Sequence, residues 1–152
     1  MLFSDEQKYW VETLELKPHT EGGWYREVWR GGLEIPFSVL PGYGGSRPAS
    51  SLIYYLLRHR DLSAWHKLKS TEIWTWHAGG VLEQSLGGTG ESPAEDSVRL
   101  IGSHPENGES FNAVIPPNTW QTTSVLTGDF VLVSCIVSPA YKSSDLSFPP
   151  EW

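Results

Sequence analysis

An imidazole and a carboxylate are the residues best suited to chemistry in this chain: His66 in Trp65-His66-Lys67-Leu68, and Glu72 at the head of Glu72-Ile73-Trp74-Thr75-Trp76. An imidazole titrates near neutral pH, so a His66 that faces a pocket can take or give a proton, with Glu72 orienting it or binding a hydroxyl. Side chains two apart on a strand share a face, so Leu68 follows His66, and Trp74 and Trp76 follow Glu72. Their indoles can stack on a ligand ring or pack a core. Downstream, Pro116-Pro117-Asn118-Thr119-Trp120-Gln121 ends in a neutral amide, a good hydrogen-bonding group and a weak ligand for zinc or iron. His66, Glu72 and Gln121 are therefore a thin set for a divalent metal, and no cofactor is expected to be obligatory.

The elements that must position these groups are short strands. Ser4 and Gln7 form a capping-box pair ahead of Trp10, Val11 and Leu14, which predicts a helix over about 4–16, stopped by Pro18. Strands are expected at 24–29, 50–57, 64–68, 72–76, 81–86, 98–101, 111–115, 119–125 and 130–137, separated by Gly and Pro. Many short strands at close spacing describe a sandwich or barrel, here over about 24–140, with a C-terminal tail from 141 to 152. Asn118 fits a turn that needs positive φ. The segments 40–48 and 87–95, rich in turn residues, are expected to be mobile, the first a surface connection or a lid. The two aromatics of the tail, Phe148 and Trp152, predict that it packs across the barrel or a partner.

At 152 residues the chain reads as a single domain able to bury a core without disulfides. Its one cysteine, Cys135, sits in an apolar run and reads as a small core residue. With no signal-peptide pattern and no long apolar run, a cytoplasmic location is expected. Eleven Lys and Arg against 18 Asp and Glu give a net charge of −7, which repels phosphate backbones and argues against nucleic acid. Local clusters of Arg26, Arg47, Arg58 or Lys67 can still hold a small anion. There is no phosphate-binding Gly-Lys loop, zinc-protease helix, nucleophile elbow or paired-cysteine metal site.

The run His19-Thr20-Glu21-Gly22-Gly23-Trp24-Tyr25-Arg26-Glu27 is followed in order by Ser51-Leu52-Ile53-Tyr54-Tyr55-Leu56-Leu57, Glu72-Ile73-Trp74-Thr75-Trp76-His77-Ala78-Gly79 and Val133-Ser134-Cys135-Ile136-Val137-Ser138-Pro139. Together these resemble a cupin family known as domain of unknown function 985, over nearly the whole chain. The resemblance implies an all-β double-stranded β-helix, a jelly-roll barrel, usually dimeric, with a deep pocket at one end. In metal-binding cupins a second imidazole stands where this chain has Leu68, and a histidine where it has Gln121. The fold also looks like that of storage globulins and of epimerases that act on deoxythymidine-diphosphate keto-sugars.

The expected function is that of a small-molecule-binding cupin, homodimeric by resemblance, whose pocket accepts a nucleotide, sugar nucleotide or similar polar anionic ligand. Its expected contacts are His19, Glu21, Arg26, Ser51, Lys67, Trp74, Trp120 and Gln121. The first alternative is an epimerase or isomerase with His66 as base, Glu72 beside it and Tyr54 returning a proton. The second is a metal-dependent oxygenase or isomerase on His66, Glu72 and Gln121.

Overall fold

The computed structural model describes residues 2–150. Ser4 caps helix α1 (Asp5–Thr13): its hydroxyl accepts the Gln7 amide at 3.3 Å, and the Gln7 side chain accepts the Ser4 amide at 3.0 Å. The helix ends earlier than residue 16 because the backbone turns at Glu15, φ 54. Leu16 is thereby freed to pack with Leu56, Phe130 and Leu132, joined by Trp10, Val11 and Leu14.

Nine strands follow among the described residues: β1 (Lys17–Pro18), β2 (Trp24–Ile35), β3 (Arg47–Arg58), β4 (Leu62–His66), β5 (Thr71–Leu86), β6 (Ser97–Ile101), β7 (Glu109–Ser110), β8 (Asn112–Ile115) and β9 (Gln121–Ser138). Their order is β1-β2-β3-β9-β5-β6-β7, with β4 on β9 and β8 on β5. Two pairs of expected strands are in fact single long ones, β5 and β9. Each bends in the middle, and their pairing shifts register around Gly79. Gly79 has φ 98, and a Cβ there would strike the Phe130 carbonyl, so only glycine lets the two strands cross this closely. The bend folds one sheet into the two layers of a jelly roll, the expected all-β architecture. Asn118 adopts φ 55 in the turn before β9.

Alternation sorts the two faces of each strand. Tyr55 and Leu57 of β3, Trp74 of β5 and Val131, Val133 and Cys135 of β9 point into the barrel core. Tyr54 and Leu56 point outward, toward the cluster under α1.

Both segments expected to be mobile are tied down. The Tyr43 hydroxyl donates to the Lys69 carbonyl at 2.9 Å, and Arg47 donates to the Tyr43 carbonyl at 3.1 Å. The Gly90 carbonyl accepts from the Trp120 indole at 2.8 Å and from Lys67 at 3.2 Å. The tail lies on the barrel: Lys67 and Ser147 exchange two backbone hydrogen bonds of 3.0 Å. Glu151 and Trp152, part of the expected tail packing, lie outside the described residues. No helix among the described residues is long and apolar enough to cross a membrane.

Candidate functional site

A cavity of about 640 Å³ opens between the β1–β2 turn, β2, the start of β3 and the tail. Glu21 and Glu72 are its carboxyls beside the core, Leu68, Ile53, Cys135 and Val137 supply apolar wall, and Lys17, Arg30 and Lys142 bring positive charge, whereas Arg26 in the same wall donates to Glu15 at 3.0 Å.

The turn from 19 to 23 delivers Glu21. The His19 amide donates to the Gly23 carbonyl at 2.9 Å and the Gly22 amide to the His19 carbonyl at 3.1 Å. Gly22 and Gly23 have φ 106 and 80, and a Cβ on Gly22 would collide with the Leu62 carbonyl. Two glycines therefore let the turn press against β4, where the Ala64 amide donates to the Glu21 carbonyl at 3.0 Å. Tyr55 secures the turn from below by donating its hydroxyl to the Gly22 carbonyl.

Hydrogen bonds fix both imidazoles. His66 Nδ1 lies 2.7 Å from the Ala64 carbonyl, which can only accept, so Nδ1 carries a proton. Its Nε2 then faces Glu21 Oε2 at 3.2 Å. The Glu21 amide donates to His19 Nδ1 at 3.1 Å, so in the neutral His19 ring the proton is on Nε2. Glu72 Oε1 accepts from the Trp74 indole at 3.0 Å and from the Gln121 amide at 2.9 Å, which leaves Oε2 for a ligand.

Burial governs the titration of this cluster. Desolvation pushes both carboxyls above their ordinary range, opposed at Glu21 by His19 and reinforced at Glu72 by Glu21. Desolvation also lowers both imidazoles, opposed at His19 by Glu21 and at His66 by Glu72. The Tyr141 phenol, also on the cavity, is pushed up to about 12 by burial and then by Glu21.

Of the expected site residues, the structure brings His19, Glu21, Arg26, Ser51 and Glu72 to the cavity. Ser51 accepts the Tyr141 amide at 2.9 Å and so joins β3 to the tail. The others stand elsewhere. His66 is fully buried and meets the cavity only through Glu21. Tyr54 is on the outer face, because β3 alternation turns Tyr55 inward instead. Trp74 is 1% exposed core, and Gln121 stands behind Glu72 as its donor. Trp120 and Lys67 stack on each other, 4.7 Å from ammonium to ring centroid, beside Gly90. Arg58 is paired with Asp61 and lies between Phe3 and Trp24, away from the cavity.

Sequence reasoning passed over Lys17, Arg30 and Tyr141. Arg30 donates to Glu27 and to the Tyr141 carbonyl at 2.6 Å, linking β2 to the tail. The alternation Arg26, Glu27, Arg30 on a twisted, bulged strand carried no legible inward face, and the fold of the tail onto β2 is a long-range event. Arg47, considered as an anion holder, lies in the wall but is held by Asp145, with contacts of 2.6 and 2.8 Å.

The residues present do not fit a metal ion. Gln121 turns its amide N–H toward Glu72, Leu68 fills the wall where a second imidazole would stand, and His66 directs Nε2 at Glu21. Among the described residues no group of three or more His, Cys, Asp or Glu is placed to hold an ion.

Known proteins agree with this architecture. No curated protein matches the chain. A hypothetical protein from Leishmania major is 30% identical, with a TM-score of 0.80 over 93% of this chain and 85% of its own. A Shewanella oneidensis protein is 28% identical, with a TM-score of 0.78 over 97% and 85%. A cupin 2 conserved barrel domain protein from Rhodopseudomonas palustris shares the fold at 13% identity, with a TM-score of 0.52 over 86% and 77%. The family model described as "Cupin superfamily (DUF985)" matches residues 8–149, so the chain belongs to that family of cupins.

Proposed function

We propose that the cavity binds a small polar ligand with an anionic group, a nucleotide, a sugar nucleotide or a similar molecule, without an obligatory metal. Family and fold are those of a small-molecule-binding cupin. The observation that carries the finer reading is the positive charge around the cavity: Lys17, Arg30 and Lys142 line it, with the Lys17 ammonium 5.6 Å from the Tyr25 ring centroid. A phosphate or carboxylate is the natural partner of such a set of cations. Glu21 and Glu72 offer acceptors for hydroxyl or amino groups.

Metal-stripped protein tested by thermal shift against nucleoside mono- and diphosphates, sugar nucleotides and divalent metals decides the matter. A ligand at a hundredfold its Kd stabilises by about 2.7 kcal/mol, a shift of roughly 5 to 11 °C for a domain of this size. Shifts from metals alone, or none from any anionic compound at millimolar concentration, defeat the reading.

A homodimer belongs to the same proposal. Trp29, Leu33, Phe37 and Val39 are exposed along β2 and the turn after it, an apolar stretch suited to a second copy. Light scattering on the eluted protein tests it, and a monomeric mass at micromolar concentration counts against it.

A further inference from the structure

We infer that Glu21, at ion-pair distance from His66, is the proton-transferring group of this cavity, and that the cavity isomerises an α-hydroxy carbonyl compound bearing a phosphate or comparable anion. The inference rests on the ligand reading above and adds a reaction to it.

The argument is geometric. Because the Ala64 carbonyl fixes a proton on His66 Nδ1, the buried Nε2 is left without a hydrogen-bond partner, and Glu21 Oε2 stands at ion-pair distance from it, 3.2 Å, so one further proton shared by the pair relieves both groups. That proton rests on Glu21 as a carboxyl or on His66 as an imidazolium, and the pair has the same net charge in both forms. A buried site can therefore expose a carboxylate base without acquiring uncompensated charge. His66 has no exposed surface, whereas Glu21 is 9% exposed and lines the cavity, so a ligand meets the carboxyl and not the ring. Glu21 is the catalytic residue and His66 its positioning residue.

Glu72 supplies the second function. Trp74 and Gln121 both bond Oε1, holding the carboxyl rigid with Oε2 free. Burial that favours the protonated form makes it an acid poised to donate. The other titratable groups around the pair are His19, a neutral donor, and the Tyr55 and Tyr141 phenols, both held protonated by burial.

The atoms balance without a co-reactant. Glu21, as carboxylate, takes the proton from the hydroxyl-bearing carbon, the C–H electrons form a C=C bond, and the carbonyl oxygen takes the Glu72 proton, giving an enediol. Glu72, now a carboxylate, removes the proton from the other enediol oxygen. Glu21 returns its proton to the former carbonyl carbon, and both carboxyls regain their starting states. The cations of Arg30, Lys17 and Lys142 hold the anionic end throughout.

The test uses the full chain with dihydroxyacetone phosphate, D-ribulose 5-phosphate and D-fructose 6-phosphate in D2O, followed by proton NMR, with thermal shift on the same compounds. The expected result is deuterium at the exchanging carbon and formation of the isomeric aldose for at least one probe. Glu21→Gln should lower the rate at least a hundredfold with the binding shift retained. His66→Gln should lower kcat at least tenfold with KM changed less than twofold, a split that a merely structural role would not give. Binding without deuterium uptake in any probe overturns the isomerase and leaves the ligand reading standing. No binding of any of the three sugar phosphates also overturns the isomerase, while the ligand reading falls only if the nucleotides and sugar nucleotides fail as well; uptake that survives Glu21→Gln removes Glu21 from the chemistry.

Discussion

His66 Nε2 and Glu21 Oε2 lie 3.2 Å apart, the ring fully shielded and the carboxyl at the cavity surface. The sequence reading gives the proton chemistry to His66. The ring is fully buried and the β1–β2 turn covers it with Glu21, so the carboxyl and not the ring lines the cavity.

The pH dependence of stability separates the carboxyls from the imidazoles. Glu72, raised by desolvation and then by Glu21, binds its proton more tightly folded than unfolded. Its contribution is complete below its ordinary value of 4.5 and is lost as pH rises through the folded value. His19 and His66, lowered by desolvation, contribute above their ordinary value of 6.5 and lose that contribution as pH falls through their folded values. Glu72→Gln removes the first effect, together with the Glu72 charge that opposes the lowering at His66. Its melting temperature relative to wild type should rise as pH increases above 4.5 through the raised folded value; a constant difference between the two melting curves would show that Glu72 does not titrate differently on folding.

Arg47 and Asp145, 4% and 3% exposed, form a buried pair between β3 and the tail. Arg47→Leu leaves Asp145 charged and unpaired and should cost about 3 to 5 kcal/mol. Adding Asp145→Leu should recover most of that loss. Urea unfolding of the two variants measures both, and a double variant no better than the single one contradicts the account.

Gly22→Ala should be among the most damaging small substitutions. It places a Cβ at φ 106 against the Leu62 carbonyl, so roughly 2 to 3 kcal/mol is lost if the turn is kept. If the turn moves instead, Glu21 leaves His66. Thermal melting reads the first effect; a variant as stable as wild type shows the turn to be adaptable.

Lys17→Ala, which removes a cation from the cavity lining, should weaken binding of an anionic ligand about tenfold, since a hydrogen bond to a charged group contributes roughly 1.5 to 3 kcal/mol. Titration calorimetry with the best nucleotide from the thermal-shift panel checks this. Unchanged affinity means the anion is held elsewhere.

Cys135 should resist alkylation in the folded protein. It is 1% exposed, and burial followed by the Glu72 and Glu21 charges pushes its thiol well up, so little thiolate forms near neutral pH. Iodoacetamide labelling should require denaturant; rapid native labelling speaks for an open cavity.

The barrel was legible where local patterns suffice. The Ser4–Gln7 box, the strand alternation around Trp74 and the Asn118 turn are read within a few residues, and each is present. Joining expected strands into β5 and β9 was not legible, since Gly79-Gly80 and Thr127-Gly128 look like turns until the two bends pack on each other. In the site, His19, Glu21 and Arg26 came from one contiguous signature. Tyr54 was misplaced because Tyr54-Tyr55 offers a tyrosine to either face, and only the β3 register chooses. Lys142 and Tyr141 reach the cavity through the tail, which no local periodicity encodes.

The pair formed by Arg47 and Asp145 gives the cavity a temporal property. Lys17, Arg26 and Arg30 belong to the first strands synthesised, yet Tyr141 and Lys142 complete the enclosure only once the segment ending at Asp145 has docked on β3. A nascent chain thus carries most of the cavity's cations but no closed chamber, which is sealed only when the tail docks.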